Sequence, residues 1–354
     1  MQRYARQLAL PEIDLLKQEK LQQTTLLMIG AGGLGAAALP YLAGAGIGHI
    51  IIIDHDYVDI TNLGRQTIYK SDEQGKNKAR LTQAYLKNLN PDIKVTAITD
   101  KLDKENATSL ITPYNIDIIL DGSDNFATKA LLNDLSITLM RPLISASVNQ
   151  FGGQIGIFEG YKSDKACYRC LFPEFPTDAK NCNEAGIIGT SAGIIGLYQA
   201  HVALGYLTEI KEIKEKQFQI FNLKTIQSET ILITKDINCP SCKNATHQAE
   251  KPTKTNKDKN MIKMISIDTL NEQETAIIDV RQPEEITADP LKNPLIKNTP
   301  INIPLPELIN RLDELPTDQR LAFICAGNIR SRQAVEYLDA KGYEDICILD
   351  KFSV

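Results

Sequence analysis

The stretch Leu26 to Asp54, LLMIGAGGLGAAALPYLAGAGIGHIIIID, constrains this chain more than any other. Leu26 to Ile29 form an apolar run that enters Gly30-Ala31-Gly32-Gly33-Leu34-Gly35. An alanine-rich segment follows, and Ile50 to Ile53 closes on Asp54. The order is strand, glycine turn, helix, strand. In such a unit Gly30 permits the tight turn and Gly32 lets a backbone N–H approach a phosphate oxygen. Gly35 lets the helix lie close on the sheet, with the helix N-terminus facing the anion. An acidic residue about twenty positions further on, here Asp54, ends the second strand where it can accept hydrogen bonds from ribose hydroxyls. The expectation is an α/β unit that binds a nucleotide, and the pattern leaves the nucleotide open.

A chain of 354 residues is long for one domain and predicts two. Its 43% hydrophobic and 23% charged residues allow large cores, and a net charge of -5 gives no electrostatic reason to expect a nucleic-acid partner. The opening residues, MQRYARQLALPEIDLLKQ, lack the apolar core and small-residue cleavage site of an export signal. Pro40 and glycines interrupt the apolar stretch from Ala36 to Ile53, so no membrane span is expected there. Of seven cysteines, four stand in C-x-x-C pairs, which points to metal or thiol chemistry in a reducing cytoplasm rather than to a disulfide framework.

Beyond the glycine turn, the segment from Asp54-His55-Asp56 to Asn62-Leu63-Gly64-Arg65-Gln66 is too polar for a core and rich in groups that could face a ligand. A helix is expected from about Gly75 to Leu89. Lys76, Lys78 and Arg80 near its start oppose the helix dipole, a conflict that a bound polyanion removes. Val95 to Thr99, Ile116 to Leu120 and Pro142 to Val148 read as further buried strands. The middle one stops at Asp121-Gly122-Ser123-Asp124-Asn125, a strand end of the kind that borders ligand crevices in open parallel sheets. Gly152 to Phe158 alternates like an added antiparallel strand, a glycine-rich helix runs from about Ile187 to Leu207, and Phe218 to Phe221 and Thr230 to Ile233 are strand-like. Residues 249–260, AEKPTKTNKDKN, hold no large apolar side chain and read as a linker between a domain at 1–248 and another at 261–354. In the second domain, strand-like runs at Met264 to Ile267, Ala276 to Arg281 and Arg320 to Ile324 lead to Cys325-Ala326-Gly327-Asn328-Ile329-Arg330-Ser331 and a helix from Arg332 to Lys341. This is a small α/β domain of its own.

Four groups of residues carry chemistry. Cys167 with Cys170 and Cys239 with Cys242 have the spacing by which two thiolates from one turn hold part of a tetrahedral Zn(II), and two such pairs close the site. Arg6, Asn62, Arg65, Lys78 and Asp124 suit a triphosphate site, the cations clamping phosphoryl oxygens and the carboxylate holding Mg(II) through water. Cys182 lies in the polar run Asn181 to Gly186, where an exposed nucleophile and an inert buried thiol are both open. Cys325, at a strand end before a helix, would face a nest of backbone N–H groups that favours a thiolate or persulfide, with Arg330 able to close over it. Cys347 sits in the apolar run Ile346 to Leu349 and reads as core, and the four histidines form no motif.

Residues 1 to about 248 resemble the MoeB/ThiF/HesA family, bacterial relatives of ubiquitin-activating enzymes. The matching residues are Arg3-Tyr4-x-Arg6-Gln7, the glycine turn, Asp54-x-Asp56, Asn62-Leu63-x-Arg65-Gln66, Gly75-x-x-Lys78, Asp121-x-x-Asp124-Asn125, the two cysteine pairs and Cys182-x-Glu184-Ala185-Gly186. The resemblance implies a homodimeric enzyme that uses Mg-ATP to adenylate the C-terminal glycine of a ubiquitin-like sulfur carrier ending in Gly-Gly, and releases pyrophosphate. It puts Asp54 on the ribose, Arg65 and Lys78 on the phosphates, Asp124 on Mg(II), and Arg6 in the site of the other chain. Residues 261–354 resemble a rhodanese domain through Ile278-Asp279-Val280-Arg281-x-Pro283-x-Glu285 and the Cys325 loop. That implies sulfur transfer through a Cys325 persulfide, in a domain shortened after the strand ending at Leu349-Asp350. The family loop has glycine three residues after the cysteine; here Asn328 holds that place, and asparagine tolerates a positive φ. A nicotinamide-dependent oxidoreductase fits the glycine turn alone but leaves Arg65, Lys78 and the Asp124 loop without a role. A non-catalytic carrier-binding scaffold leaves the phosphate motifs without one.

Overall fold

The computed structural model describes residues 2–174, 186–214, 218–245, 262–290, 296 and 298–350. Cys182 and the linker expected at 249–260 lie outside these residues. The chain divides into two compact units, one spanning Lys20–Lys251 and one that joins Met1–Glu19 to Pro252–Val354.

The larger unit is built on an eight-stranded sheet of β1 (Thr25–Ile29), β2 (His49–Ile53), β3 (Lys94–Ile98), β4 (Ile118–Asp121), β5 (Leu143–Asn149), β6 (Gly152–Phe158), β7 (Phe218–Asn222) and β8 (Gln227–Ile231), in the order 3-2-1-4-5-6-7-8. The first five strands are mutually parallel, and β6 to β8 add as antiparallel neighbours. Leu26, Leu27, Met28, Ile50, Ile51, Ile52, Ile118 and Ile119 are fully buried, as continuous apolar runs must be when helices cover both faces. β2 and β4 lie on opposite sides of β1, so the chain reverses its direction of travel there. The crevice outside the strand ends opens at that reversal, and it holds the glycine turn, Asp54 and the 121–125 loop.

Longer helices accompany this sheet. α1 covers Leu15–Gln23, α2 Gly33–Ala45, α3 Lys78–Leu89, α4 Phe126–Leu139 and α5 Gly189–Leu207. α2 ends on Gly46, whose left-handed backbone (φ 89°) returns N–H bonds to the last carbonyls. Helix α4, which carries no strong apolar stripe, was not expected from sequence. The last hairpin strand falls at Gln227–Ile231 rather than 230–233, because pairing of Asn222 with Gln227 sets its register.

In the smaller unit five parallel strands, β9 (Met264–Ser266), β10 (Thr275–Asp279), β11 (Ile301–Asn302), β12 (Arg320–Ile324) and β13 (Ile346–Asp350), take the order 11-10-12-13-9. Helices α6 (Pro283–Ala288) and α7 (Ile329–Ala340) follow β10 and β12. The core of this unit includes residues from the start of the chain. Tyr4, Leu8 and Leu15 are buried in one cluster with Ile303, Leu305, Leu308, Tyr337 and Leu338. No helix among the described residues is long and apolar enough to cross a membrane.

Candidate active site

Residues of the larger unit enclose a cavity of about 1250 Å³ over the crevice. Gly30, Gly32, Gly33, Asp54, Asp56, Asn62, Arg65, Gln66, Lys78, Asp124 and Asn125 all line it. Motifs far apart in sequence thus meet around one cavity.

The glycine turn is built as its composition demands. Gly30 has φ 92°, a left-handed backbone, and a side chain there would also strike the carbonyl of Gly122. A Cβ on Gly35 would lie 2.1 Å from the Gly30 carbonyl oxygen, so α2 can begin this close to the strand only with glycine at that place. Gly35 therefore serves packing beneath the cavity rather than its wall. Asp54 ties the turn to β2: its carboxylate accepts the N–H groups of Ala31 (2.7 Å) and Asp56 (2.8 Å). Burial pushes the Asp54 carboxyl above the ordinary carboxylate range, opposed by those two N–H groups and by Lys78. Tyr69 braces the turn from behind, donating its hydroxyl to Ala31 O at 2.8 Å.

Lys78 is the first residue of α3, whose N-cap Asn77 accepts the Arg80 N–H. The residue is 5% exposed and its Nζ lies 3.3 Å from Asp56 Oδ2. A nearly buried ammonium at the positive end of a helix is electrostatically costly, and an anion in the cavity offsets that cost. Lys76 and Arg80, which shared the sequence argument, are exposed. Arg65 is held by donation from Nη1 to Thr61 O (3.0 Å) in the turn that also presents Asn62. Gln66 is buried, and among the described residues its Oε1 has no hydrogen-bond partner, which leaves an acceptor for a ligand's donor.

Asp121 is fully buried beneath the cavity. Its carboxylate accepts from Lys129 Nζ (2.8 Å), Ser145 Oγ (2.6 Å), and the N–H and hydroxyl of Ser123 (2.9 and 2.6 Å). Gln199 Nε2 donates to Asp121 O and Ile144 O. The structure thus places Asp121 under the loop that carries Asp124, where it shapes that loop through Ser123. Lys129, Ser145 and Gln199 were missed by sequence reasoning. Lys129 carried the same signal as Lys78, a cation in the first turns of a helix.

The four thiols of Cys167, Cys170, Cys239 and Cys242 gather into one cluster, with Sγ separations of 3.6 Å (167–239), 3.8 Å (167–170) and 3.4 Å (170–242). Four sulfurs bound tetrahedrally at about 2.3 Å from a zinc ion stand about 3.8 Å apart, so the donor set and its spacing fit that metal. Hydrogen bonding with the Cys167 sulfur holds the Cys170 thiol below the ordinary range, whereas burial pushes that of Cys242 up.

In the smaller unit Cys325 follows β12 and is 1% exposed. Asn328 adopts φ 61°, as its place in the loop requires, and caps α7. The helix therefore starts at Ile329, one turn before the expected Arg332, and Arg330 and Ser331 belong to its first turn. Arg330 is gripped by Glu285 through two bonds of 2.6 and 2.7 Å, and this pairing draws the Glu285 carboxyl down to about 2. Behind the loop, Asp279 and Arg281 form a buried pair (2.7 Å) that fixes the turn after β10. Arg6 is exposed and lies in the unit that carries Cys325.

A family model, the ThiF family, matches residues 4–241. The chain belongs to the ThiF family. A rhodanese-like domain matches residues 266–352 of this ThiF-family chain, so the two resemblances meet in one polypeptide. The sulfur carrier protein adenylyltransferase of Thermus thermophilus is 34% identical over 71% of this chain and 93% of its own length. Adenylyltransferase and sulfurtransferase MOCS3 of Anopheles gambiae is 43% identical over 56% of this chain, an alignment that spans 44% of that relative. Among solved structures, Escherichia coli MccB with AMPCPP and MccA shares the fold at a TM-score of 0.60 and 21% identity, over 68% of this chain and 74% of that one.

Proposed function

We propose that this chain adenylates the C-terminal glycine of a ubiquitin-like sulfur-carrier protein at the expense of ATP and then transfers sulfur to it from Cys325. The observation that supports this most directly is the convergence of the glycine turn, Asp54, Asn62, Arg65, Gln66, Lys78 and Asp124 on one cavity. The names of the Thermus and Anopheles relatives point the same way. The turn and the α2 N-terminus take phosphate oxygens, and Asp54 accepts from the ribose. A carboxylate oxygen of the carrier attacks the α-phosphorus, the bond to the β-phosphate bridge breaks, and acyl-adenylate and pyrophosphate result. Arg65, Lys78 and Arg6 of the other chain in a homodimer neutralise the charge that builds up. Asp124, an exposed carboxylate among these cations, suits a hard divalent cation, and Mg(II) bound there would screen the phosphates.

In the second half-reaction the Cys325 thiolate takes the sulfane sulfur of a donor such as thiosulfate, releasing sulfite and leaving a persulfide. The terminal sulfur then attacks the acyl-adenylate carbon and displaces AMP, which joins the carrier to Cys325 as an acyl disulfide; a second thiol attacking the Cys325 sulfur breaks the S–S bond, releases the carrier as its thiocarboxylate and leaves a disulfide for a dithiol reductant to reopen. Cys182 is the secondary nucleophile, able to hold the carrier as a thioester or acyl disulfide. Zinc at the four thiols would be structural, since all four positions are protein ligands. The product serves molybdopterin or thiazole synthesis in the cytoplasm. Carrier-dependent pyrophosphate exchange tests the adenylation step. Lys78→Ala and Asp124→Ala should each reduce it by about 10²-fold or more, and near-parental exchange in both would refute the assignment.

A further inference from the structure

The loop after Cys325 leaves its backbone donors open. Among the described residues, none of the N–H groups from Ala326 to Ser331 has a hydrogen-bond acceptor, and the next one, of Arg332, returns to Asn328 O. Such a row of donors stabilises an anion at the loop only if it is held in place beforehand, because a loop that must reorganise gives back much of the gain. The loop is held on one side by Arg330 on Glu285. On the other side the side chain of Asn328 reaches across to the end of the neighbouring strand, where its Nδ2 donates to Asp350 Oδ1 at 3.2 Å. Cys325 follows the end of β12 and Asp350 ends β13, and these two strands pair through Phe323 and Ile348. The Asn328 bond therefore closes the base of the loop between two adjacent strand ends. Glycine would adopt the same left-handed backbone with less strain but could not make this bond.

We propose that Asn328 is a positioning residue for sulfur transfer: its amide ties the Cys325 loop to Asp350 and thereby sets how readily the sulfur of Cys325 holds negative charge. This rests on the reading of Cys325 as the sulfur acceptor.

The test uses the full chain with Asn328→Gly, Asp350→Asn and Cys325→Ser variants. Two quantities are measured: kcat/KM for thiosulfate:cyanide sulfur transfer, and the pH midpoint of Cys325 ionisation, from ultraviolet thiolate absorbance relative to Cys325→Ser. Asn328→Gly keeps the backbone and loses the tie, so kcat/KM should fall about fivefold, the value of one net hydrogen bond, and the midpoint should rise. Asp350→Asn keeps an acceptor oxygen for the Asn328 amide, so its kcat/KM should stay near parental and its midpoint should not rise. An Asn328→Gly protein that loses only thermal stability, with kcat/KM and midpoint unchanged, overturns the proposal. If the parental chain transfers no sulfur yet Asn328→Gly still raises the midpoint, the sulfur-acceptor reading fails and takes the role in sulfur transfer with it, while the tie's hold on the Cys325 loop is upheld.

Discussion

Lys78 and Glu285 show how single charges report on the two sites. Lys78 is kept nearly dry at a helix start, where Asp56 pairs with its ammonium, an arrangement consistent with a polyanionic ligand. Glu285 is the reverse case, a carboxylate on the surface made strongly acidic by one arginine. Its folded value of about 2 lies below the ordinary 4.5, so its contribution to stability is complete above the ordinary value and disappears as pH falls through the folded one. Because Glu285 is two-fifths exposed, solvent screens the pair and the contribution is modest. Glu285→Gln should lower the unfolding midpoint of the smaller unit near neutral pH, and the gap to parental protein should close between those two values. Urea titrations at a series of acidic pH values follow this. A gap that stays constant down to the lowest pH would mean that the Arg330 pairing contributes nothing through charge.

Among the elements, those with a strong local pattern were legible. The βαβ start, the antiparallel Gly152–Phe158 strand and the buried strand Arg320–Ile324 fall where the apolar runs placed them. The left-handed turn at Asn328 could be anticipated because few side chains other than that of asparagine tolerate it. Helix α4 was not legible, since its anchors are Lys129 and Asn133, polar residues whose partners come from other elements. Asp121 looked like a ligand because strand ends usually are; only the bonds to Lys129 and Ser123 show it supporting the loop from below. The cysteine pairs were legible from spacing, which also led to the expectation that both pairs close one site, and they do meet, 72 residues apart, at sulfur contact distance. One zinc per chain is expected by elemental analysis. Its removal by a chelator should expose the segments around Cys167 and Cys239 to proteolysis, because four thiols at 3.4–3.8 Å then retain only weak S–H bonds. Folded protein with no bound metal would refute the closed-site reading.

At the scale of the whole chain, composition marks a linker near residue 250, and sequence order then assigns everything before it to the nucleotide-binding domain. The contacts divide the chain differently, because residues 1–19 fold with the C-terminal unit. No local pattern announces this: Tyr4, Leu8 and Leu15 are unremarkable apolar residues until the side chains around them are seen to be Ile303, Leu305, Leu308 and Tyr337. Glu19 adds a charged contact with Lys341 at 2.9 Å on the same unit. Leu8 is 2% exposed, so Leu8→Ala should leave a cavity in that core and cost about 2–5 kcal/mol. The loss should be confined to the C-terminal unit, whose core cluster contains Leu8, and spare the cluster formed by Leu26, Met28, Ile50 and Ile118. Hydrogen exchange measured by mass spectrometry on the full chain separates the two. In Leu8→Ala, peptides covering Thr275–Asp279, Arg320–Ile324 and Ile346–Asp350 should exchange faster, while those covering Thr25–Ile29 and His49–Ile53 keep parental protection. Unchanged exchange in the C-terminal strands would show that the opening residues are not part of that core. Faster exchange in the N-terminal strands instead would return them to the nucleotide-binding unit, as sequence order alone suggests.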